Sequence, residues 1–544
     1  MENTKVKKQN HPTIFEPFLL LMIVAVAAVG AIIGMQLIVS LGISANTSII
    51  GALIAMVIAR IPLELFLKFR SIHRQNLVQT SISSATFGAA NSLLIPIGIP
   101  WVMGKPELIM PMMIGAVLAM FVDAIILYRL FDSKIFPATG TWPPGVATAE
   151  SISAGDQGGK RAGLLGLGAL GGILGSWLGI PMSAFGVAFI GNIWALTMFG
   201  IGLLLRAYSI PLFGVDVNKM YIPHGLMIGA GLVALVQVTS IILKKQSTRT
   251  TASKNAKSEV VATAEIAEAS LTRTETDTRR ALGYGFVAYL VVALIIALVG
   301  GIINDMSFGM LIGFLVFAAF AAFVHELIVG IAAMHSGWFP AFAVALITLI
   351  IGILIGFPPL ALAFLVGYSA ATGPAFADMG YDFKTGFMLR GNGQDREYEL
   401  EGRKQQFLSA MIGFAVAVVV VLVAYNGYFK QNLVPPVDKV YVATIEAGVS
   451  PDIAWQLFIW AIPGAILQLI GGAKRQMGVL FATGMLILFP NAGWAVLTGI
   501  LIRAVILKAK GKAAETPMSI LAAGFIAGDA LYSFFNSVFK LKKI

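Results

Sequence analysis

The sequence predicts an all-α polytopic membrane protein, with about 14–16 transmembrane helices in two related halves that contain discontinuous or re-entrant segments. Three observations carry this. Of 544 residues, 58% are hydrophobic and only 12% charged, where soluble chains carry about a quarter charged residues. Apolar runs long enough to cross a bilayer, about 20 residues each, recur along the whole length. A polar, basic stretch from Lys244 to Arg280 divides them into two sets.

No water-soluble packing hides that much apolar surface, so a single membrane domain is expected. The absence of cysteine excludes disulfides, thiolate metal ligands and Cys nucleophiles. The net charge of +11, from 38 basic and 27 acidic residues, would raise nucleic acid as a partner in a soluble protein. Here it reads as Lys and Arg of cytoplasmic loops, and no nucleic acid is expected.

The first apolar run, Ile14 to Val39, follows Lys5, Lys7 and Lys8. It is too long for a signal-peptide core and reads as a retained first helix. Further apolar segments lie at 46–67, 76–100, 107–128, 162–182, 184–205 and 222–243, then 281–303, 308–333, 338–357, 358–372, 406–427, 453–472, 476–489, 490–507 and 516–538. The domains follow as residues 1–243, a flexible linker 244–280, and residues 281–544. Lys5 to Lys8, then Lys68, Arg70 and Arg74, the linker, and Lys540 to Lys543 are all assigned to the inside by the positive-inside rule. Each half then needs an even number of crossings. The simple count is odd in both, which points to 207–221 and 476–489 as places where a segment is miscounted. A bacterial cytoplasmic membrane, with both termini inside, is the simplest location.

Two stretches do not read as ordinary spans: residues 137–161 (PATGTWPPGVATAESISAGDQGGKR) and 368–390 (YSAATGPAFADMGYDFKTGFMLR). Each holds Ala-Thr-Gly followed closely by Pro, about 233 residues apart, as an internal duplication would leave them. Irregular backbone at membrane depth survives only buried in protein or lining a cavity. Interrupted segments at matching places in two halves are the sequence mark of a transporter's midplane site. The alternative is a pair of cytoplasmic loops.

Motifs of soluble enzymes fail on context. Gly166, Gly168 and Gly171 fit GxGxxG but lie in an apolar helix with no preceding strand; close helix packing through small residues explains them. Gly155 to Arg161 has the wrong spacing for a phosphate loop. His325-Glu326 lacks the second His of a zinc helix, because position 329 is Val. No cofactor, metal site or catalytic constellation is expected, and the chain is not read as an enzyme. Ionisable groups within spans carry more weight: Asp123, Glu326 and Asp529, with Arg60 and Arg503 near span ends and able to snorkel. A structural ion pair is the alternative for the acids.

Four blocks in order carry a family resemblance. Asn76-Leu-Val-Gln79-Thr80 resembles the NxVQT signature of the oligopeptide transporter (OPT) family, particularly its yellow-stripe-like metal-chelate branch. Pro143 to Glu150 is similar to that family's PEGTACAE element, with Pro144, Val146 and Thr148 replacing Glu, Thr and Cys. Asp382-Phe-Lys384-Thr385-Gly386 and Arg403-Lys404-Gln405-Gln406 resemble DLKTGYLVGATPRKQQ, interrupted by a charged insertion at 392–402. AAGFIAGDAL resembles ASGLIAGEAL, with Asp529 for Glu. The resemblance implies a secondary transporter, usually proton-coupled, that moves small peptides or metal chelates. A passive channel and an intramembrane enzyme are the alternatives.

On this reading the substrate-binding candidates are Asn76, Gln79, Thr80, Gly145, Thr148, Asp382 and Lys384. Asn76, Gln79 and Thr80 fall at i, i+3 and i+4, one stripe of a helix, where amides and a hydroxyl grip either substrate or a neighbouring helix. The broken segments offer free N–H groups and positive helix ends to an anionic group. Glu150 and Asp529 are the proton-coupling candidates; Asp382 competes for that role, or forms a gate-closing pair with Lys384. The expected partners are a small peptide or metal chelate, protons and the bilayer. A homodimer is compatible with the sequence, although no segment specifies its interface.

The two-half arrangement is tested by topology. A protease site introduced near Ser253 should be cut only from the cytoplasmic side, and cutting from outside sealed cells would overturn it.

Overall fold

The computed structural model describes residues 11–42, 51, 54, 68–154, 160–255, 271–336 and 341–539. The basic residues at 5–8 and 540–543, Arg60, most of the second apolar segment and residues 256–270 of the polar stretch lie outside them. The first group of helices is α1 (Pro17–Leu41), α2 (Ile72–Phe87), α3 (Ile95–Val102), α4 (Ile109–Leu130), α5 (Pro143–Ala154), α6 (Lys160–Trp177), α7 (Met182–Ile190), α8 (Ile193–Phe213) and α9 (Ile222–Asn255). The second group is α10 (Glu275–Val299), α11 (Phe308–Ser336), α12 (Ala341–Ile355), α13 (Pro359–Ala371), α14 (Pro374–Leu389) and α15 (Arg396–Phe429). It continues through α16 (Pro436–Ala447), α17 (Pro451–Arg475), α18 (Met477–Leu486), α19 (Pro490–Lys510) and α20 (Glu515–Phe539). Among the described residues the only extended pairing is one isolated bridge, Phe131 to Phe136.

The protein is an all-α polytopic membrane protein. Proline opens α1, α13, α14, α16, α17 and α19, where its missing N–H is an orphan in any case. Ten described helical stretches are long and apolar enough to cross a bilayer, and one of them, Pro490–Ser533, joins α19 and α20. Four shorter apolar helices accompany them. Helices α13 and α14 together form one helical stretch of 31 residues, and residues 477–486, where the sequence pointed to a miscounted segment, form the ten-residue α18. The polar stretch after 243 begins inside α9, which continues to Asn255. It ends in a capping box at the start of α10, where the Thr274 hydroxyl accepts from Asp277 N–H at 3.1 Å.

Burial separates the centre from the periphery. Ile72–Val102 (α2 and α3) and Pro359–Leu389 (α13 and α14) each have 94% of their apolar window inside the protein, against 17% for Pro451–Gly472. Peripheral helices expose a whole apolar face, as lipid-facing helices must. The two central crossings are also the irregular ones. A π-helical turn, Gly88–Leu94, joins α2 to α3, in what the sequence suggests is an uninterrupted span. At Thr372–Gly373 the helix between α13 and α14 breaks, with Gly373 at φ +91°.

The small residues of the GxGxxG-like run act as packing contacts. A Cβ on Gly168 would stand 2.5 Å from the Leu521 carbonyl, and one on Gly528 would stand 2.1 Å from the Ala169 carbonyl. Helices α6 and α20 therefore touch backbone to backbone, which brings Asp529 against the end of α6. Gly528→Val should destabilise the protein by about 1–3 kcal/mol through overpacking. Gly163→Ala, a position with nothing within 4 Å, should be neutral or slightly stabilising. Thermal unfolding in detergent checks both.

Candidate functional site

The site is built around α14. Its first turn lies deep in the protein, and the break before it frees backbone N–H groups that hydrocarbon cannot satisfy. Asp123 of α4 supplies the acceptor: its Oδ2 takes Gly373 N–H at 2.6 Å and Phe376 N–H at 3.2 Å. A carboxylate at a helix N-terminus is also favoured by the helix dipole.

From there α14 runs antiparallel to α2, joined by a polar ladder. Ser83 donates to Asp378 Oδ1 at 2.7 Å, and Gln79 Nε2 donates to Asp382 Oδ1 at 2.6 Å. Both pairs are spaced i, i+4 on their own helices, so the rungs share one face. Asn76 Nδ2 extends the ladder to Gln79 Oε1 at 3.1 Å. Gln406 of α15 closes it, donating to Thr80 Oγ1 at 3.1 Å and to the Asp382 carbonyl at 2.8 Å. All of these side chains are buried. The stripe Asn76, Gln79 and Thr80 thus exists as one helix face, engaged in this structure by α14 and α15.

The two irregular segments meet in space. The Thr385 hydroxyl donates to the Gly145 carbonyl at 3.0 Å, and Lys384 Nζ to the Ala138 carbonyl at 2.9 Å. A Cβ on Gly145 would stand 2.4 Å from the Tyr381 carbonyl, so the contact between α5 and α14 requires glycine there. Thr148, fully buried, turns its hydroxyl to the Pro144 carbonyl of its own helix at 2.9 Å. Lys384 and Asp382, offered above as an alternative gate-closing pair, are turned to different neighbours in this structure. Residues two apart on a helix point to different faces, and Lys384 turns to α5 while Asp382 turns to α2.

Beyond Gln406 lies a buried ion network. Arg390 donates to Gln406 Oε1 at 2.7 Å and to Glu399 Oε2 at 2.7 Å. Arg403 bonds Glu399 Oε1 at 3.1 Å, the Phe131 carbonyl at 3.1 Å and Thr272 Oγ1 at 2.9 Å, and lies 3.5 Å from Asp132. Two guanidinium groups, Arg390 and Arg403, face two carboxylates, Glu399 and Asp132. Glu399 comes from the charged insertion at 392–402. The N-terminal segment covers one side: Ile14 N–H donates to Gln405 Oε1 at 2.9 Å. His11 stands 5.3 Å from the Tyr398 ring, lowered to about 4 by burial and the nearby Arg390 charge and therefore neutral.

The coupling candidates occupy different places. Glu150 is exposed near the end of α5. Asp529 is buried and accepts from Ser183 N–H at 2.8 Å and from the Ser176 hydroxyl. It borders a cavity of about 130 Å³ that Gln36, Ser40 and Ser533 also line.

The geometry is that of a membrane protein whose most buried helices are broken and joined by carboxylates and amides. The family model for OPT oligopeptide transporter protein matches residues 19–222 and 179–540. The chain belongs to the OPT oligopeptide transporter family. No curated protein matches it. Within this OPT protein, four buried groups escaped the sequence reading: Asp378, Ser83, Glu399 and Asp438. Asp378 had a signal, one helical turn before Asp382 in a segment already singled out. Asp438 sits in α16, a twelve-residue helix absent from the segment count, fully buried and with neither carboxylate oxygen hydrogen-bonded. No described group of three or more His, Cys, Asp or Glu side chains is placed to hold a metal ion.

The ion network yields a stability test. Glu399→Ala leaves two buried guanidinium groups short of a carboxylate and should cost about 3–5 kcal/mol. Glu401→Ala, which breaks a half-exposed pair with Lys404 and one hydrogen bond from Gln405, should cost about 0.5–2 kcal/mol. Chemical or thermal unfolding in detergent separates the two.

Proposed function

We propose that this OPT protein is a secondary transporter that carries small peptides or peptide-like metal chelates across a bacterial cytoplasmic membrane by proton symport, with both termini inside. The observation that carries the reading is the Asp378–Ser83 and Gln79–Asp382 ladder between two broken, fully buried helices. Two carboxylates on adjacent turns suit the amino terminus of a peptide or the net positive part of a chelate. The amides of Asn76 and Gln79 and the hydroxyl of Thr80 suit backbone groups, which every peptide shares. Lys384, with the α5 contacts at Gly145 and Thr148, offers the opposite charge for a substrate carboxylate.

These groups are buried, so substrate access requires α2 and α14 to part. The interactions that hold them together are then exchanged for interactions with substrate. Such an exchange gives alternating access at small net cost, because hydrogen bonds between the helices are traded for hydrogen bonds to substrate. The ion network around Glu399 lies at one end of this ladder and supplies a barrier that opens as a unit. Proton coupling is assigned to titratable carboxyls in or beside this machinery, with Glu150 and Asp529 as the candidates on separate elements.

The test is uptake into proteoliposomes, with labelled trialanine and an iron chelate compared under an imposed proton gradient. Saturable, uphill, gradient-dependent accumulation is expected; accumulation that only equalises would indicate a channel. Gln79→Ala and Asn76→Ala should weaken apparent affinity, each lost bond costing about 0.5–1.5 kcal/mol, or a few-fold to about tenfold. Normal affinity with a lowered unfolding temperature would show the stripe to be interhelical glue. Glu150→Gln and Asp529→Asn should each be scored by the ratio of substrate exchange to gradient-driven uptake, with Asp382→Asn as comparison. Selective loss of uphill uptake marks the coupling residue.

A further inference from the structure

Asp123 does more than cap α14. Its other oxygen, Oδ1, lies 2.8 Å from the Tyr289 hydroxyl of α10, and the same hydroxyl is hydrogen-bonded to Glu326 Oε2 of α11. Asp123, Tyr289 and Glu326 are all fully buried. A phenol carries one proton to donate. If both carboxyls were ionised, one of them would face the lone pairs of the phenol with nothing between. Both contacts are hydrogen bonds only when a second proton sits on one carboxyl.

The structure also decides which one. Asp123 Oδ2 already accepts two backbone N–H groups at the N-terminus of α14, and such donors favour the ionised form. The second proton therefore belongs to Glu326. Glu326 donates to the Tyr289 oxygen, and Tyr289 donates to Asp123 Oδ1.

Among the described residues no Lys, Arg or His forms an ion pair with either carboxyl. The remaining titratable neighbours are Tyr368 of α13, whose hydroxyl donates to the Tyr289 carbonyl at 2.8 Å, and His325. His325 Nε2 donates to the Ala341 carbonyl at 3.1 Å, and its Nδ1, beside the Ser369 carbonyl, accepts from the Ser369 hydroxyl at 3.3 Å, the tautomer that keeps the ring neutral. With no described cation paired to either carboxyl and one phenol proton between them, the cluster holds one excess proton as its resting composition.

We infer that Glu326 is a proton-binding site of the transporter, read out through Tyr289 and Asp123 at the first turn of α14. When Glu326 gives up its proton, two carboxylates share one hydroxyl proton and repel. Asp123 is the movable partner, and it is the acceptor for the N–H groups of α14. Asp378 and Asp382 lie on the next turns of that helix, so a shift of its first turn reaches the ladder with α2. The coupling role rests on the proton-symport reading; the protonated state of Glu326 does not.

The experiment separates the two. Infrared difference spectra of the reconstituted protein at neutral pH should show a protonated carboxyl C=O band that is lost in Glu326→Gln. It should remain in Glu150→Gln and Asp529→Asn. Tyr289→Phe, which removes the acceptor of the Glu326 proton, should shift that band to higher frequency or abolish it, and it guards against a folding failure of the Glu326 variant. An unchanged band in Glu326→Gln, or one lost only in Asp123→Asn, overturns the assignment. In parallel, trialanine exchange should persist in Glu326→Gln while proton-driven accumulation fails. If wild-type protein moves neither trialanine nor the chelate, the transport reading fails while the infrared band still decides the proton site.

Discussion

Everything at the centre of this protein depends on one constraint: backbone groups inside a bilayer must find partners within the protein. The break at Thr372–Gly373 frees N–H groups where no water can reach them, and Asp123 is their acceptor. That single requirement fixes α4 against α14, places a carboxyl next to Tyr289 and Glu326, and sets the starting point from which α14 descends past α2. An isolated buried charge would be expensive; here the charge is tied to two donors and a helix end, and its position is dictated by them.

The same constraint explains why the central helices carry polar side chains. A peptide-carrying path must present donors and acceptors, yet the closed protein must leave none of them stranded. The ladder of Ser83 with Asp378 and Gln79 with Asp382 meets most of this demand, since each rung pairs groups that substrate would otherwise occupy, and of Asp378 only Oδ2 is left without a hydrogen bond. Glycine makes the close approach available, at Gly145 against α14 and at Gly168 and Gly528 between α6 and α20. The OPT family pattern of small residues thus records where backbones touch, and the polar residues record what they enclose.

Charge is arranged on a separate principle. Arg390 and Arg403 are buried, and each is matched by a carboxylate that the surrounding chain brings from a distance: Glu399 from the 392–402 insertion and Asp132 from the turn after α4. Thr272, just ahead of α10, joins the same cluster through Asp132 at 2.7 Å. The network therefore ties the segment before α10 to the end of α4, and Gln406 links it to Asp382. A buried pair of this kind adds little stability over an apolar core, but breaking one half of it is costly, which suits an element that opens as a unit.

The sequence by itself determined the class of molecule. Composition and recurring apolar runs require a polytopic helical membrane protein, whatever the contacts, because about 20 apolar residues have no other stable environment. Local chemistry also marked the special segments: Ala-Thr-Gly and Pro at 138–143 and 371–374, the stripe Asn76, Gln79 and Thr80, and Asp123 and Glu326 as ionisable groups in apolar helices. Partnerships were beyond it. That Gln79 meets Asp382, that Glu399 neutralises Arg390 and that Asp123 caps α14 are pairings across 303, 9 and 250 residues. No periodicity encodes the long ones, and the short one bridges a turn whose shape the sequence left open. The π-turn at Gly88–Leu94 was hidden because a buried helix needs no polar face, so its sequence resembles the spans around it, whereas α16 was hidden because Asp438, Lys439 and Glu446 interrupt its apolar pattern. Tertiary packing alone decided these features, since it alone chooses which orphaned group lies within reach of which donor.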